Sequence, residues 1–106
     1  MIADFIRLGR RSPGSLDGTI ISSGTYGINL AAVAPYTVTA FLVQTTNGVC
    51  QVSLTQNEQN ITDVIEVTTE LQTISLNAAV AIGDGLALVI ANLGGGQELS
   101  YSVHYQ

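Results

Sequence analysis

From residue 18 onward, short runs of Thr, Val, Ile and Leu recur at intervals near ten residues, separated by Gly, Asn and Asp. That spacing predicts strands joined by turns. TIIS (19–22) is the first run, and YGINLAAV (26–33) the second, ended by Ala34-Pro35. YTVTAFLVQ (36–44) alternates, with Tyr36, Val38, Ala40 and Leu42 on one face and Thr37, Thr39, Phe41 and Val43 on the other. Both faces are partly apolar, which predicts a central strand covered on both sides or one touching a second subunit. VCQVSLTQ (49–56) has the clearest alternation, Cys50, Val52 and Leu54 against Gln51, Ser53 and Thr55.

Further strands are predicted at ITDVIEVTT (61–69), LQTISL (71–76), LALVIAN (86–92) and LSYSVHY (99–105). The nearly all-apolar 86–92 run reads as a strand buried on both faces. In the last run Leu99, Tyr101, Val103 and Tyr105 oppose Ser100, Ser102 and His104. TTNG (45–48) reads as a hairpin turn, because Asn-Gly takes the positive φ a tight turn requires. NEQN (57–60) reads as a loop, IGDG (82–85) as a turn and LGGGQE (93–98) as a flexible turn. The alanine-rich stretch 78–81 is too short to count as a helix. The expected fold is all-β: an antiparallel β-sandwich, an eight-stranded jelly roll, with an extended N-terminal arm.

Residues 1–17 differ in texture and define the arm; residues 18–106 define the sandwich domain. Ile2, Phe5, Ile6 and Leu8 are spaced for one short amphipathic turn, which Gly9, Pro13 and Gly14 stop. The competing reading is a first strand lying on the domain's own sheet. Charge makes this segment stand out further. Arg7, Arg10 and Arg11 are the only Lys or Arg residues among 106, and the formal net charge is −5. Residues 18–106 hold six acids and no cation. Such an acidic body disfavours nucleic acid, whose phosphates need Lys and Arg, and disfavours an anionic membrane surface. Only 10% of residues are charged, against about 25% in an ordinary domain. A polar, uncharged surface suits a protein packed permanently against neighbours.

Candidate chemistry is sparse. Cys50 is the one cysteine, so no intrachain disulfide is expected, and no apolar run is long enough to span a membrane as a helix. The arginines follow the N-terminal apolar residues, unlike a secretion signal. Cys50 is expected inward and His104 outward, which separates the only Cys–His pair. One Cys and one His cannot fill a zinc site. Asn57, Glu58, Asn60 and Asp63 supply oxygens, but at a spacing that matches no calcium loop. Asp63 and Glu66 are three apart on one strand and fall on opposite faces, so they do not pair for sugar hydrolysis. Neither GDG (83–85) nor GGG (94–96) precedes a helix as a phosphate loop does. NIT (60–62) matches an N-glycosylation pattern by chance. Tyr101 and Tyr105 share a face with Leu99 and Val103 and read as core rather than as a sugar platform. No cofactor, metal or catalytic residue is expected.

The stretch LQTISLNAAVAIGDGLALVIANLGGGQELSYSVHY (71–105) resembles the C-terminal half of small jelly-roll virion proteins of tailed bacteriophages, of the head-decoration (cement) or fibre type. The shared pattern is a strand, a small-residue stretch, a Gly-Asp turn, an apolar strand, a Gly-rich turn and a final alternating strand. The resemblance implies a non-enzymatic virion component, assembled in the host cytoplasm and often a homotrimer. The residues themselves lead to assembly by another route. An arm of opposite charge to its body can hold a neighbour. Ile2, Phe5, Ile6 and Leu8 are expected to anchor in an apolar groove. Arg7, Arg10 and Arg11 would pair with acids on a neighbouring subunit or on the major capsid protein. A carbohydrate- or receptor-binding module is the alternative.

Overall fold

The computed structural model describes residues 14–106. Its strands are β1 (Gly14–Ile20), β2 (Gly24–Asn29), β3 (Tyr36–Thr45), β4 (Cys50–Gln56), β5 (Gln59–Asn60), β6 (Ile65–Val67), β7 (Gln72–Val80), β8 (Leu86–Ala91) and β9 (Leu99–Tyr105). They form two antiparallel sheets, and the described residues contain no helix. The first sheet runs β1-β9-β3-β7. The second runs β2-β8-β4, with β5 and β6 following each other along the free side of β4. The fold is an all-β, sandwich-like pair of sheets.

The register has a simple rule. Leu99 faces Ile20, Ile90 faces Gly24, Val80 faces Tyr36, Val67 faces Cys50 and Asn60 faces Thr55, so the paired numbers add to 119, 114, 116, 117 and 115. A nearly constant total means that the chain is one long antiparallel hairpin, folded back at residues 57–58. Its successive rungs fall alternately in the two sheets. The pairings of β9 with β3 and of β8 with β4 then close the wrap.

The tip of this hairpin is a two-residue turn between Gln56 and Gln59. Asn57 (φ 53°) and Glu58 (φ 69°) are both left-handed, as a type I′ turn demands. NEQN is thus a tight hairpin, not a plain loop. TTNG, by contrast, is not a hairpin turn: β3 and β4 lie in different sheets, and residues 46–49 cross between them. Asn-Gly supplies bending there, and Gly48 takes φ 70°, but the apolar faces of the two flanking strands are buried against each other rather than side by side.

The core lies between the sheets. Val38, Phe41, Val43, Leu99 and Val103 from the first sheet meet Cys50, Val52, Leu54, Leu86, Leu88 and Ile90 from the second, all buried. Burying each such side chain contributes roughly 1.5–3 kcal/mol before chain entropy is counted. β9 alternates as its sequence predicts; β4 buries Cys50, Val52 and Leu54 as predicted, but Ser53 and Thr55 on its other face are buried as well. β8 does not bury both faces: Leu86, Leu88 and Ile90 point in, while Val89 and Ala91 are exposed. β3 is central, as expected, but its inward set is Val38, Phe41, Val43 and Thr45. A bulge shifts the phase. His104 faces Ala40 and Tyr105 faces Val38, leaving Thr39 as an extra residue.

Strand limits also differ from the sequence pattern. β2 ends at Asn29, so Leu30 to Val33 belong to a loop. β7 runs on through Asn77 and Ala78 to Val80. Residues 14–17, read as part of the arm, lie in β1. They pair with β9, and the Asp17 carboxylate accepts hydrogen bonds from Ser15 and from Ser102 across the pair. Two glycines let this edge strand lie close. A Cβ on Gly18 would sit 2.6 Å from Tyr101 Oη, and one on Gly14 would sit 2.6 Å from Tyr105 Oη. Each tyrosine ring lies across the glycine opposite it.

Candidate functional site: an apolar end of the sandwich

The described chain begins at one end of the sandwich, and three exposed aliphatic side chains collect there. Gly14 lies in a row with Tyr105, Val38 and Ala78 across the first sheet. The same end holds the 30–35 loop, the 81–84 turn, the Asn57–Glu58 tip and Gln106, which exchanges two backbone hydrogen bonds with Thr37.

These loops are interlocked. Ala32 N donates to Asp84 O at 2.9 Å, and Gly83 N donates to Ala32 O at 2.8 Å. The Asp84 carboxylate accepts from Gln56 Nε2 (2.9 Å), Asn57 Nδ2 (3.0 Å) and Ala81 N (3.0 Å). The Asn57 bond first, then those of Ala81 and Gln56, holds the Asp84 carboxyl below its ordinary pKa. Asn57 answers through its own Oδ1, which accepts from Gly85 N. One carboxylate thereby ties the hairpin tip to the 81–84 turn.

On this fixed frame three aliphatic side chains point into solvent: Leu30 is 86% exposed, Val33 93% and Ile82 68%. Single exposed aliphatics are ordinary; three on mutually bonded loops form a patch, which in soluble proteins marks contact surfaces. Sequence pattern missed this patch, because Leu30 and Val33 look like members of a strand. The available signal was Pro35 together with the small residues Ala31, Ala32 and Ala34.

The residues weighed for chemistry are not brought together. Cys50 is buried on the inner face of the second sheet, and burial pushes its thiol pKa up. His104 is exposed on the outer face of the first sheet. Asn57 donates its amide to Asp84 and accepts from Gly85 N. Thr62 Oγ1 of the NIT motif accepts from Leu54 N at 3.0 Å. Among the described residues, no three His, Cys, Asp or Glu side chains cluster as a metal site would require.

The tyrosines are also committed to packing. Tyr36 and Tyr105 have ring centroids 5.2 Å apart, and Tyr36 Oη accepts from Asn29 Nδ2 at 2.7 Å. Burial raises the Tyr36 phenol pKa. The arm residues Ile2, Phe5, Ile6, Arg7, Leu8, Arg10 and Arg11 lie outside the described residues. The domain boundary placed at 17/18 falls inside β1. No protein-family model and no curated protein sequence matches this chain.

Proposed function

We propose that this chain is a non-enzymatic structural component of a phage-type virion, a jelly-roll decoration (cement) or fibre-type protein that works as a homotrimer. The strand orders support the jelly-roll reading. A wrapped hairpin that deals its rungs alternately to two four-position sheets is how eight strands make that fold, with β5 and β6 together filling one position.

The observation that carries the function is the apolar end. Leu30, Val33 and Ile82 are exposed on interlocked loops at the end from which the N-terminal segment departs. That segment holds every cation of the chain. An apolar patch beside a basic segment is suited to docking on an acidic, apolar protein surface such as a capsid shell. Arg serves this well, since its planar fork pairs with carboxylates.

The test is co-sedimentation of the full chain with phage heads stripped of their decoration layer. Wild-type protein is expected to pellet with the heads, and the Leu30→Ser, Val33→Ser, Ile82→Ser triple variant to stay in solution. A wild-type chain that never pellets with heads or tails would remove the virion reading. Light scattering checks the symmetry, for which a mass other than three chains would exclude the trimer.

A further inference from the structure

A second surface lies on the flank of the sandwich, where β7 ends the first sheet and β5 and β6 end the second. The inward row of β7 is only half covered there: Gln72, Ile74, Leu76 and Ala78 are half-buried, and only Val80 is buried. The cause lies in the facing sheet. β5 pairs with Thr55 and Gln56, and β6 with Cys50 to Val52, while residues 61–64 between them leave the ladder. Ile61 N still bonds Leu54 O at 2.9 Å, and the Thr62 hydroxyl takes Leu54 N. The detour leaves a cleft of about 610 Å³ lined by Ile61, Val64, Ile74 and Leu76, with Thr62 and Asp63 among its polar edges.

β7 is itself an open edge. It pairs only with β3, and no other backbone among the described residues bonds to it. It carries no charge and no proline over nine residues, although natural edges are commonly guarded by one or the other. Acids stand close by in sequence: Asp63 in the cleft, Glu66 in β6 and Glu70 just before β7. Residues 14–106 contain no Lys or Arg at all.

We infer that this cleft and the β7 edge receive the N-terminal segment of a second copy of this chain, with Ile2, Phe5, Ile6 and Leu8 against Ile61, Val64, Ile74 and Leu76. The inference rests on the assembly reading above and names its receiving surface. Charge complementarity selects the occupant, because residues 1–13 are the only part of the chain that is both apolar and basic. Reach selects the second copy. Gly14 and Glu70 lie toward opposite corners of the first sheet. Three strand spacings across and eight residues along, counted from Ala78 in the row of Gly14, put them roughly 30 Å apart. Arg10 and Arg11 stand four and three residues before Gly14, a backbone reach of about 13 Å at most. A chain's own Arg10 and Arg11 therefore fall short of Glu70, at the far end of its β7, even with their side chains extended. A neighbour's segment, entering from that end, does not.

Disulfide trapping tests this in the full chain, where the buried Cys50 does not compete. One chain carries Ile6→Cys, and a separate chain carries Leu76→Cys, with Ile74→Cys as the second choice if the first variant folds poorly. Mixing the two under mild oxidation is expected to give the mixed dimer, at least fivefold above a control pairing Ile6→Cys with His104→Cys on the outer face. Adding Asp63→Lys to the receiving chain is expected to cut the yield severalfold. No excess over the control, from either receiving position, overturns the proposal. So does a bond that forms only within one chain carrying both cysteines, since the segment then serves its own cleft. The outcome is separable from that of head binding: the Leu30, Val33, Ile82 triple variant is expected to lose heads yet keep the cross-link.

Discussion

Glu58 stands at φ 69° in the second central position of the hairpin tip, where glycine is the favoured residue. A left-handed conformation costs an L-residue roughly 1–2 kcal/mol, part of which the flexibility of an unfolded glycine returns. Glu58→Gly is therefore expected to stabilise the protein by about 0.5–1 kcal/mol, read as a higher urea midpoint. Asn57 beside it is different, because its amide bonds both Asp84 and Gly85. Asn57→Ala loses those bonds as well as a residue tolerant of positive φ, and is expected to cost about 1–3 kcal/mol. The pH dependence follows from the same network. The folded pKa of Asp84 lies below its unfolded value, so its contribution to stability is present above the ordinary carboxylate range near pH 4. It is lost as pH falls through the folded pKa. Urea midpoints measured from pH 7 downward should show the gap between wild type and Asp84→Asn closing below about pH 4. A gap that stayed constant would mean that the carboxylate's charge is not what binds the tip.

The inward face of a strand without a bulge was legible in the sequence. Alternation identified Cys50, Val52 and Leu54 in β4, and Leu99, Tyr101, Val103 and Tyr105 in β9, because a two-residue period translates directly into inside and outside. β3 was misread for a physical reason: Thr39 adds a residue against β9, and every side chain after it changes face. No period-two pattern can announce its own bulge. β8 misled by composition, since Ala87, Val89 and Ala91 on its outer face are apolar without being covered. β1 was read only from residue 19, and its start at Gly14 was given to the arm, because its glycines look like loop. They are there for the tyrosines, and that requirement is measurable. Gly18→Ala places a methyl 2.6–2.8 Å from the Tyr101 ring, so the ring must swing away from the core cluster it packs on. We expect a loss of about 1–3 kcal/mol, and a smaller one for Gly14→Ala at the strand's first residue. Thermal unfolding of the two variants checks both the size and the order. The candidate contact surfaces were only half legible. The concentration of cations in residues 7–11 was visible, whereas Leu30, Val33 and Ile82 became a patch only through loop contacts distant in sequence.

At the scale of the whole molecule, the wrap ties β1 and β9 to the middle strands. Rung by rung, the hairpin leads from Thr55–Asn60 at the tip to Gly14–Tyr105 at the far end. Sequence separation grows steadily outward, and with it the entropy spent in closing each rung. A topology dominated by distant pairings folds slowly, in milliseconds to seconds. Among the described residues, the tip is the one place where a β-pair forms almost without loop closure. It also carries the Asp84 clamp, which joins that tip to the 81–84 turn on the returning arm. The expected order is therefore tip first, with the β4–β8 core of Val52, Leu54, Leu88 and Ile90 joining early, and the β1–β9 rung last. Stopped-flow chevrons separate the two ends. Asn57→Ala should act mainly on the folding rate, with φ near 0.5–1, and Leu16→Ala in β1 mainly on the unfolding rate, with φ below about 0.3. The reverse assignment would mean that the wrap is built from its outer strands inward. In that case the constant register total would describe the finished fold and not the path to it.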